Sequence, residues 1–240
     1  MATISGKTVL ITGANRGIGR ALLEEALSRG AWWVHAGTRE TFDHPDERVT
    51  PLILDVTDPE QIQQAVASVQ KLDLLINNAG VALPDDLSDP AVLERHLAVN
   101  LFGLHAVTQA FLPQLIKSGG AIVNCLSTAA IVPIPIVPGY SISKAAALSL
   151  TQSQRELLLD HGVRVHAVLT GPTDTDMNRG FNIPKASPAS VAQAILDGVE
   201  NEDDDIFPDS MSRIMTDWQD GAVKALRDEH AIIAAAARPA

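Results

Sequence analysis

The stretch TVLITGANRGIGRALLEEALSRG, residues 8–30, decides the architecture. Residues 8–12 form a short continuous apolar run, the pattern of a strand covered on both faces. Residues 18–30 carry apolar side chains at helical spacing and stop at Gly30, so they read as the following helix. Between the two lies TGANRGIG, residues 12–19, with glycines at 13, 17 and 19. Glycine admits positive φ and lets another backbone approach closely. The helix that follows presents free N–H groups and the positive end of its dipole to an anion.

The strand–helix alternation recurs along the chain. WWVHAG (32–37) and RVTPLILD (48–55) read as strands. PEQIQQAVASVQK (59–71) reads as a helix, because Pro59 follows the capping residue Asp58. LDLLINNAG (72–80) is a strand running into a turn, and a long helix is expected within 91–117. A strand over 121–127, a helix over 139–160, a strand over 163–170 and a helix over 187–200 follow, with a short last strand near 204–208. Such alternation implies an α/β fold: a Rossmann-type, doubly wound parallel sheet of about seven strands flanked by helices. No linker, repeat or low-complexity stretch divides it, so residues 1–240 are expected to form one domain. Within it, about 172–200 would be a substrate-loop region and about 210–240 a helical tail. In an open parallel sheet, ligands bind at the carboxyl ends of the strands. Residues 12–19 are therefore where a dinucleotide pyrophosphate would sit.

Composition narrows the partners. The 240 residues are 46% hydrophobic and 20% charged, ordinary for a globular protein, and the formal net charge is -11. Such a surface repels nucleic acid phosphates and anionic membranes. With the single Cys125 no intrachain disulfide can form, which suits a reducing compartment, and a cytoplasmic location is expected. The start, MATISGKTVLITG, lacks the pattern of a signal peptide. The chain has no charged residue between Lys117 and Lys144, but Pro133, Pro135, Pro138 and the polar NCLST interrupt the apolar run. That stretch reads as a buried strand followed by an active-site loop, not a membrane span. The seven histidines show no metal-ligand spacing, so no metal is expected.

T-G-x-x-x-G-x-G after a first strand resembles the short-chain dehydrogenase/reductase family. The resemblance extends through Asn77-Asn78-Ala79-Gly80 after the fourth strand. It continues with Asn100 on the long middle helix and with Ser127 thirteen residues before a Tyr140-x-x-x-Lys144 pair, and it covers about residues 5–200. It implies that Gly13, Asn15, Arg16, Gly17, Ile18, Gly19, Asn78, Ala79 and Gly80 bind a nicotinamide cofactor. Asp55 and Val56 would hold the adenine. Gly171, Thr173 and Thr175 would reach the nicotinamide. There the chain departs from the family, with Thr170-Gly171-Pro172 in place of Pro-Gly and Thr173 in place of Val or Ile. Leu126 likewise stands where a serine is common. An oligomer, homotetramer or homodimer, is expected from the resemblance alone.

The cofactor is expected to be NADP rather than NAD. The position at the end of the second strand that is acidic in NAD users is Thr38, and Arg39 follows; Arg16 is a second cation in the glycine loop. Guanidinium suits a phosphate through its fixed donor fork. Glu40 beside Arg39 weakens that case.

Reduction of a ketone by hydride leaves negative charge on oxygen, which needs a proton donor and an orienting hydrogen bond. Tyr140 is the only tyrosine, and Lys144 lies one helical turn on, where an ammonium is expected to lower the phenol pKa. By resemblance, Tyr140 is the general acid, Lys144 tunes it and binds the nicotinamide ribose, and Ser127 orients the substrate oxygen. Asn100 would help hold Lys144 and a relay water.

The loop TAAIVPIPIV (128–137), with Ile131, Ile134 and Val137, and the loop 176–186, with Met177 and Phe181, would form an apolar substrate wall. The expected activity is NADPH-dependent reduction of a hydrophobic ketone or aldehyde, or the reverse alcohol oxidation. Two alternatives stand beside it. One is an imine or enoyl reductase, although enoyl reductases of the family space Tyr and Lys more widely. The other is a non-catalytic cofactor sensor, although such proteins often lack the Tyr or the Lys. Trp32 and Trp33 have no assigned role.

Overall fold

The computed structural model describes residues 3–218 and 220–221. Seven parallel strands form one sheet in the order β3-β2-β1-β4-β5-β6-β7. They are β1 (Thr8–Thr12), β2 (Trp33–Thr38), β3 (Val49–Ile53), β4 (Leu74–Asn77), β5 (Ala121–Cys125), β6 (Arg164–Val168) and β7 (Asp205–Ile206). The helices are α1 (Gly17–Ser28), α2 (Pro59–Ser68), α3 (Pro90–Leu97), α4 (Leu104–Ser118), α5 (Pro138–Leu158) and α6 (Pro188–Asn201). The doubly wound expectation holds. The strand order reverses between β1 and β4, so the crevice for a ligand opens at their carboxyl ends.

Buried apolar clusters cover both faces of the sheet. On one face Leu22, Leu23, Ala26 and Leu27 of α1 and Val191, Ile195 and Leu196 of α6 pack on Val9, Ile11 and Val34. On the other, Val107, Phe111 and Leu115 of α4 pack with Leu10, Leu75, Ile122 and Val165. Central strands buried on both faces need the continuous apolar runs that made them recognisable. β3 lies at the sheet edge, and among the described strands it alone holds a proline, Pro51, which can donate no ladder hydrogen bond. Arg29, at the end of α1, binds Glu25, Asp197 and Glu200 and fastens α1 to α6.

Local signals act where they were read. Asp58 accepts from the Glu60 and Gln61 amides as the N-cap of α2, and Ser187 accepts from the Ser190 amide at α6. The expected long helix within 91–117 is broken, however. α3 and α4 are joined through a π-helical turn, Ala98–Gly103, and Asn100 sits inside it. Spacing of apolar residues cannot register one extra residue per turn, whereas π turns concentrate where a side chain must be aimed. β7 is only two residues long. Most of the expected helical tail lies outside the described residues. Trp33 donates from Nε1 to Thr50 Oγ1 at 2.8 Å, while Trp32 is 70% exposed. No described helix is long and apolar enough to cross a membrane.

A buried polar seam sets the alignment of β4 on β5. Asn77 pairs in register with Asn124. Asn77 Nδ2 donates to Asn124 Oδ1 and to Thr108 Oγ1, both at 2.9 Å. Asn124 Nδ2 donates to Thr151 Oγ1 at 3.0 Å and to Gln154 Oε1 at 3.3 Å. The seam thus ties two strands to α4 and α5. Asn124→Ala strands several buried partners and is expected to lower unfolding stability by about 2–4 kcal/mol, since each unsatisfied buried group costs about 1–3. Urea denaturation of the purified variant measures it.

Candidate active site

The glycine loop is constrained by its backbone conformation at two glycines and by a close contact at the third. Gly13 and Gly17 have φ of +68° and +55°, in the left-handed region. At Gly19 a Cβ would stand 2.1 Å from the Gly13 carbonyl oxygen and 2.5 Å from Asn78 Nδ2, which no side chain tolerates. Asn78 Nδ2 donates to the Thr12 carbonyl at 2.9 Å and the Gly13 carbonyl at 3.2 Å. In return Thr12 Oγ1 accepts from the Asn78 and Ala79 amides, both at 3.0 Å. Thr12 thereby locks the loop after β4 onto the loop after β1. Its role was not singled out from the sequence, although it is the threonine of the T-G pair.

These residues fit a dinucleotide. Arg16 stands at the N-cap of α1 in an extended conformation, and no side chain caps the first turn. The helix therefore offers its terminal N–H groups and dipole to a phosphate. Asn15 and Arg16 are exposed, and Gly17 and Ile18 are half-buried. Gly17 faces Thr175, whose Cγ2 would lie 3.2 Å from an added Cβ. The glycine loop and Thr175 therefore meet across the crevice.

The remaining cofactor candidates are placed less directly. Thr38 is buried and donates to the Glu40 carbonyl at 2.5 Å, while Arg39 is exposed. Asp55 closes a local turn, its Oδ1 accepting from Thr57 N at 2.9 Å and Thr57 Oγ1 at 2.7 Å. Val56 is buried. Arg16 pairs with Asp176 at 3.1 Å, and the same carboxylate binds Arg179. Asp176 thus competes with any phosphate for Arg16. Gly171 donates to Asp209 Oδ2 at 2.7 Å, and Thr173 is buried, bridging to Ala186. Asp209 was not visible as a site residue because its partner lies 38 positions away.

The four candidate reaction residues are linked one to the next: Asn100 and Lys144 both lie beside Gly80, Lys144 lies beside the Tyr140 ring, and Tyr140 hydrogen-bonds with Ser127. Ser127 lies two residues past the end of β5 and caps the next turn, its Oγ accepting from Ala129 N at 3.1 Å. Lys144, buried on α5, donates from Nζ to the Cys125 carbonyl at 2.8 Å and lies 5.7 Å from the Tyr140 ring centroid. A Cβ on Gly80 would sit 3.2 Å from Asn100 Oδ1 and 3.7 Å from Lys144 Nζ. Asn100 makes its direct side-chain hydrogen bonds to Val81 and Ser143. Its Oδ1 accepts from Val81 N, and its Nδ2 donates to the Val81 carbonyl and to Ser143 Oγ, each at 2.9 Å. Ser143 in turn donates to the Tyr140 carbonyl at 2.7 Å. Asn100 therefore supports the tyrosine's backbone through Ser143, a residue that the motif spacing passes over.

The electrostatics correct a second expectation. Burial pushes the Tyr140 phenol above its ordinary range, and a hydrogen bond with Ser127 opposes that rise. The net lowering expected from the ammonium is not seen, because desolvation of the phenol itself outweighs what opposes it. Desolvation brings Lys144 down to about 8, with the neighbouring Cys125 sulfur opposing. Burial likewise lifts the Cys125 thiol to about 12, against the pull of Lys144.

The apolar wall is only partly assembled. Ile131 and Val137 are half-buried, but Ile134, Met177 and Phe181 are exposed at 39%, 45% and 43%. The cavity bordering the 174–189 segment, about 670 Å³, has the charged residues Arg16, Arg20, Asp174, Arg179 and Lys185 in its lining. Among the described residues no cluster could hold a metal ion.

Comparison with known proteins identifies the family. A family model described as short chain dehydrogenase matches residues 7–185. The chain belongs to the short-chain dehydrogenases. It is 36% identical over 197 residues to estradiol 17-beta-dehydrogenase 2 of Mus musculus, covering 75% of this chain and 51% of that protein. The chain thus spans about half the length of that relative. It is 33% identical over 201 residues to L-rhamnose 1-dehydrogenase (NAD(P)(+)) of a Sphingomonas strain, covering 75% of this chain and 77% of that one. A short chain dehydrogenase of Burkholderia cenocepacia, solved in complex with NADP, superposes with a TM-score of 0.88 at 36% identity, covering 95% of this chain and 98% of that chain.

Because Tyr140 is the only tyrosine, its ionisation can be followed directly by tyrosinate absorbance. In the cofactor-free protein the transition is expected above the ordinary phenol value of about 10. Ser127→Ala removes the opposing hydrogen bond and should move it higher still. A wild-type midpoint below 10, or a downward move in the variant, contradicts these assignments.

Proposed function

We propose that this short-chain dehydrogenase is an NADPH-dependent carbonyl reductase that acts on hydrophobic ketones or aldehydes and, in reverse, oxidises the corresponding alcohols. The observation that carries the reading is the meeting of Ser127, Tyr140 and Lys144 beside a glycine loop at the sheet's switch point. The glycine loop, the uncapped start of α1 and Asn78 to Gly80 would hold NADPH, which supplies the hydride when bound. Ser127 donates a hydrogen bond to the substrate oxygen and orients the carbonyl. Tyr140 gives its proton to that oxygen as negative charge develops there. The high phenol pKa in the cofactor-free protein keeps Tyr140 protonated and ready to donate in reduction. Lys144, anchored to the Cys125 carbonyl, places positive charge near the phenolate left behind. Asn100 and Ser143 hold the backbone of the tyrosine.

Thr38 and Arg39 favour a 2′-phosphate over a bare ribose hydroxyl, and Arg16 adds a second cation once Asp176 releases it. The apolar stretch 128–137 supports a hydrophobic substrate. The two relatives bracket the choice, one named for estradiol and the other for a sugar. Four-residue Tyr–Lys spacing on α5 speaks against an enoyl reductase. Exposed Phe102, Ile142 and Leu157 offer apolar surface for an oligomer.

Two measurements test the reading. Across aryl ketones, aliphatic ketones and sugars, turnover should appear with the ketones, and Tyr140→Phe should lower kcat by about 10²–10⁴-fold. Activity confined to sugars overturns the hydrophobic-substrate reading, and full activity of Tyr140→Phe overturns the mechanism. Separately, kcat/KM should favour NADPH over NADH. Arg39→Asp should lower the NADPH value by about tenfold or more, the size of one lost charged hydrogen bond.

A further inference from the structure

The loop after β4 is gripped at alternate residues, and the last grip falls on the helix that carries Tyr140. Val81 is held by Asn100, as described. Two residues on, Leu83 N donates to His96 Nε2 at 2.9 Å. After two more, both carboxylate oxygens of Asp85 accept from Gly139 N at 3.2 Å. His96 and Asn100 are four residues apart, across the junction of α3 with the π-helical turn. Gly139 belongs to the first turn of α5, next to Tyr140. The residue at the N-cap of that helix, Val137, has no side-chain acceptor to offer, so Asp85 supplies the cap from another part of the chain.

His96 completes the contact. It is fully buried, and its ring meets the Tyr140 ring edge-on, with centroids 6.3 Å apart and planes at 66°. Because Nε2 accepts from Leu83, the neutral ring carries its proton on Nδ1. A Cβ on Gly139 would lie 3.0 Å from His96 Nδ1 and 3.1 Å from Asp85 Oδ2. Gly139 therefore lets the carboxylate and the imidazole close on the start of the helix together.

We propose that Asp85 is a positioning residue: through its hydrogen bonds to Gly139, and with His96 against the ring, it fixes the Tyr140 phenol where the proton transfer occurs. The inference rests on the reading of Tyr140 as proton donor. A shift of about 1 Å at a reacting group can cost on the order of 10²-fold in rate, so a partial release should be measurable.

The test uses the full chain with 3-fluorotyrosine incorporated, which labels Tyr140 alone. Wild type and Asp85→Asn, which keeps an acceptor, should each give one sharp ¹⁹F resonance. Asp85→Ala should give a broadened or split one while still unfolding cooperatively. In NADPH-dependent reduction of an aryl ketone, Asp85→Ala should lower kcat by about tenfold with KM for NADPH changed less than about twofold. Asp85→Asn should stay within about threefold of wild type. Gly139→Ala, which presses on the same contact from the other side, should lower kcat as Asp85→Ala does. An unaltered resonance in folded Asp85→Ala, unchanged kcat there, or Asp85→Asn behaving like Asp85→Ala overturns the proposal. A wild-type protein that reduces no ketone counts against the substrate reading, and the resonance then decides the role of Asp85.

Discussion

The structure depends on how closely the first loop can approach the fourth. At the switch point between β1 and β4, Gly19 rests on the Gly13 carbonyl with no room for a Cβ, and Asn78 fills the space beside it. Asn78 donates to Thr12 across this seam from both its amide N–H and its Nδ2. Because the backbones meet here, the open start of α1 faces the same crevice as Asn78, Ala79 and Gly80. A bulkier seam would part the two loops and leave the helix dipole aimed at water.

The same economy of space governs the reaction residues. An ammonium buried beside the Cys125 carbonyl is costly to keep charged, which is why Lys144 falls to about 8. The phenol, also buried, rises rather than falls. In the cofactor-free site, burial thus outweighs the attraction between the two groups. The protein answers with rigid support: Asn100 and Ser143 beneath the tyrosine's backbone, Asp85 at the head of its helix, and His96 against its ring. Supporting polar groups of this kind hold a reacting side chain within the narrow geometry that proton transfer needs.

Much of this was legible in the sequence, and for definite reasons. Strands buried on both faces must be apolar throughout, so β1, β4 and β5 announced themselves. Asp58 and Ser187 marked helix starts because capping is a local transaction between residues two or three apart. Ser127, Tyr140 and Lys144 were legible through spacing, since a strand end and a helical turn convert sequence distance into spatial distance. The π-helical turn at Ala98–Gly103 was not, because one inserted residue leaves the apolar pattern almost unchanged. Asp85, Asp209 and Ser143 were also missed, since their partners come from other elements or are backbone atoms without a signature.

The sequence by itself determined the class of sheet, the placement of the glycine loop between a strand and a helix, and the pairing of one tyrosine with one lysine a turn apart. Those properties follow from periodicity and local geometry, which act over a few residues. Only the tertiary structure decided that Asn100 reaches the tyrosine's backbone through Ser143, and that Arg16 is engaged by Asp176. It also decided that the phenol pKa rises, and that the start of α5 is capped from a distant loop. These depend on burial and on contacts between residues far apart in the chain, and desolvation and long-range pairing have no period for a sequence to display.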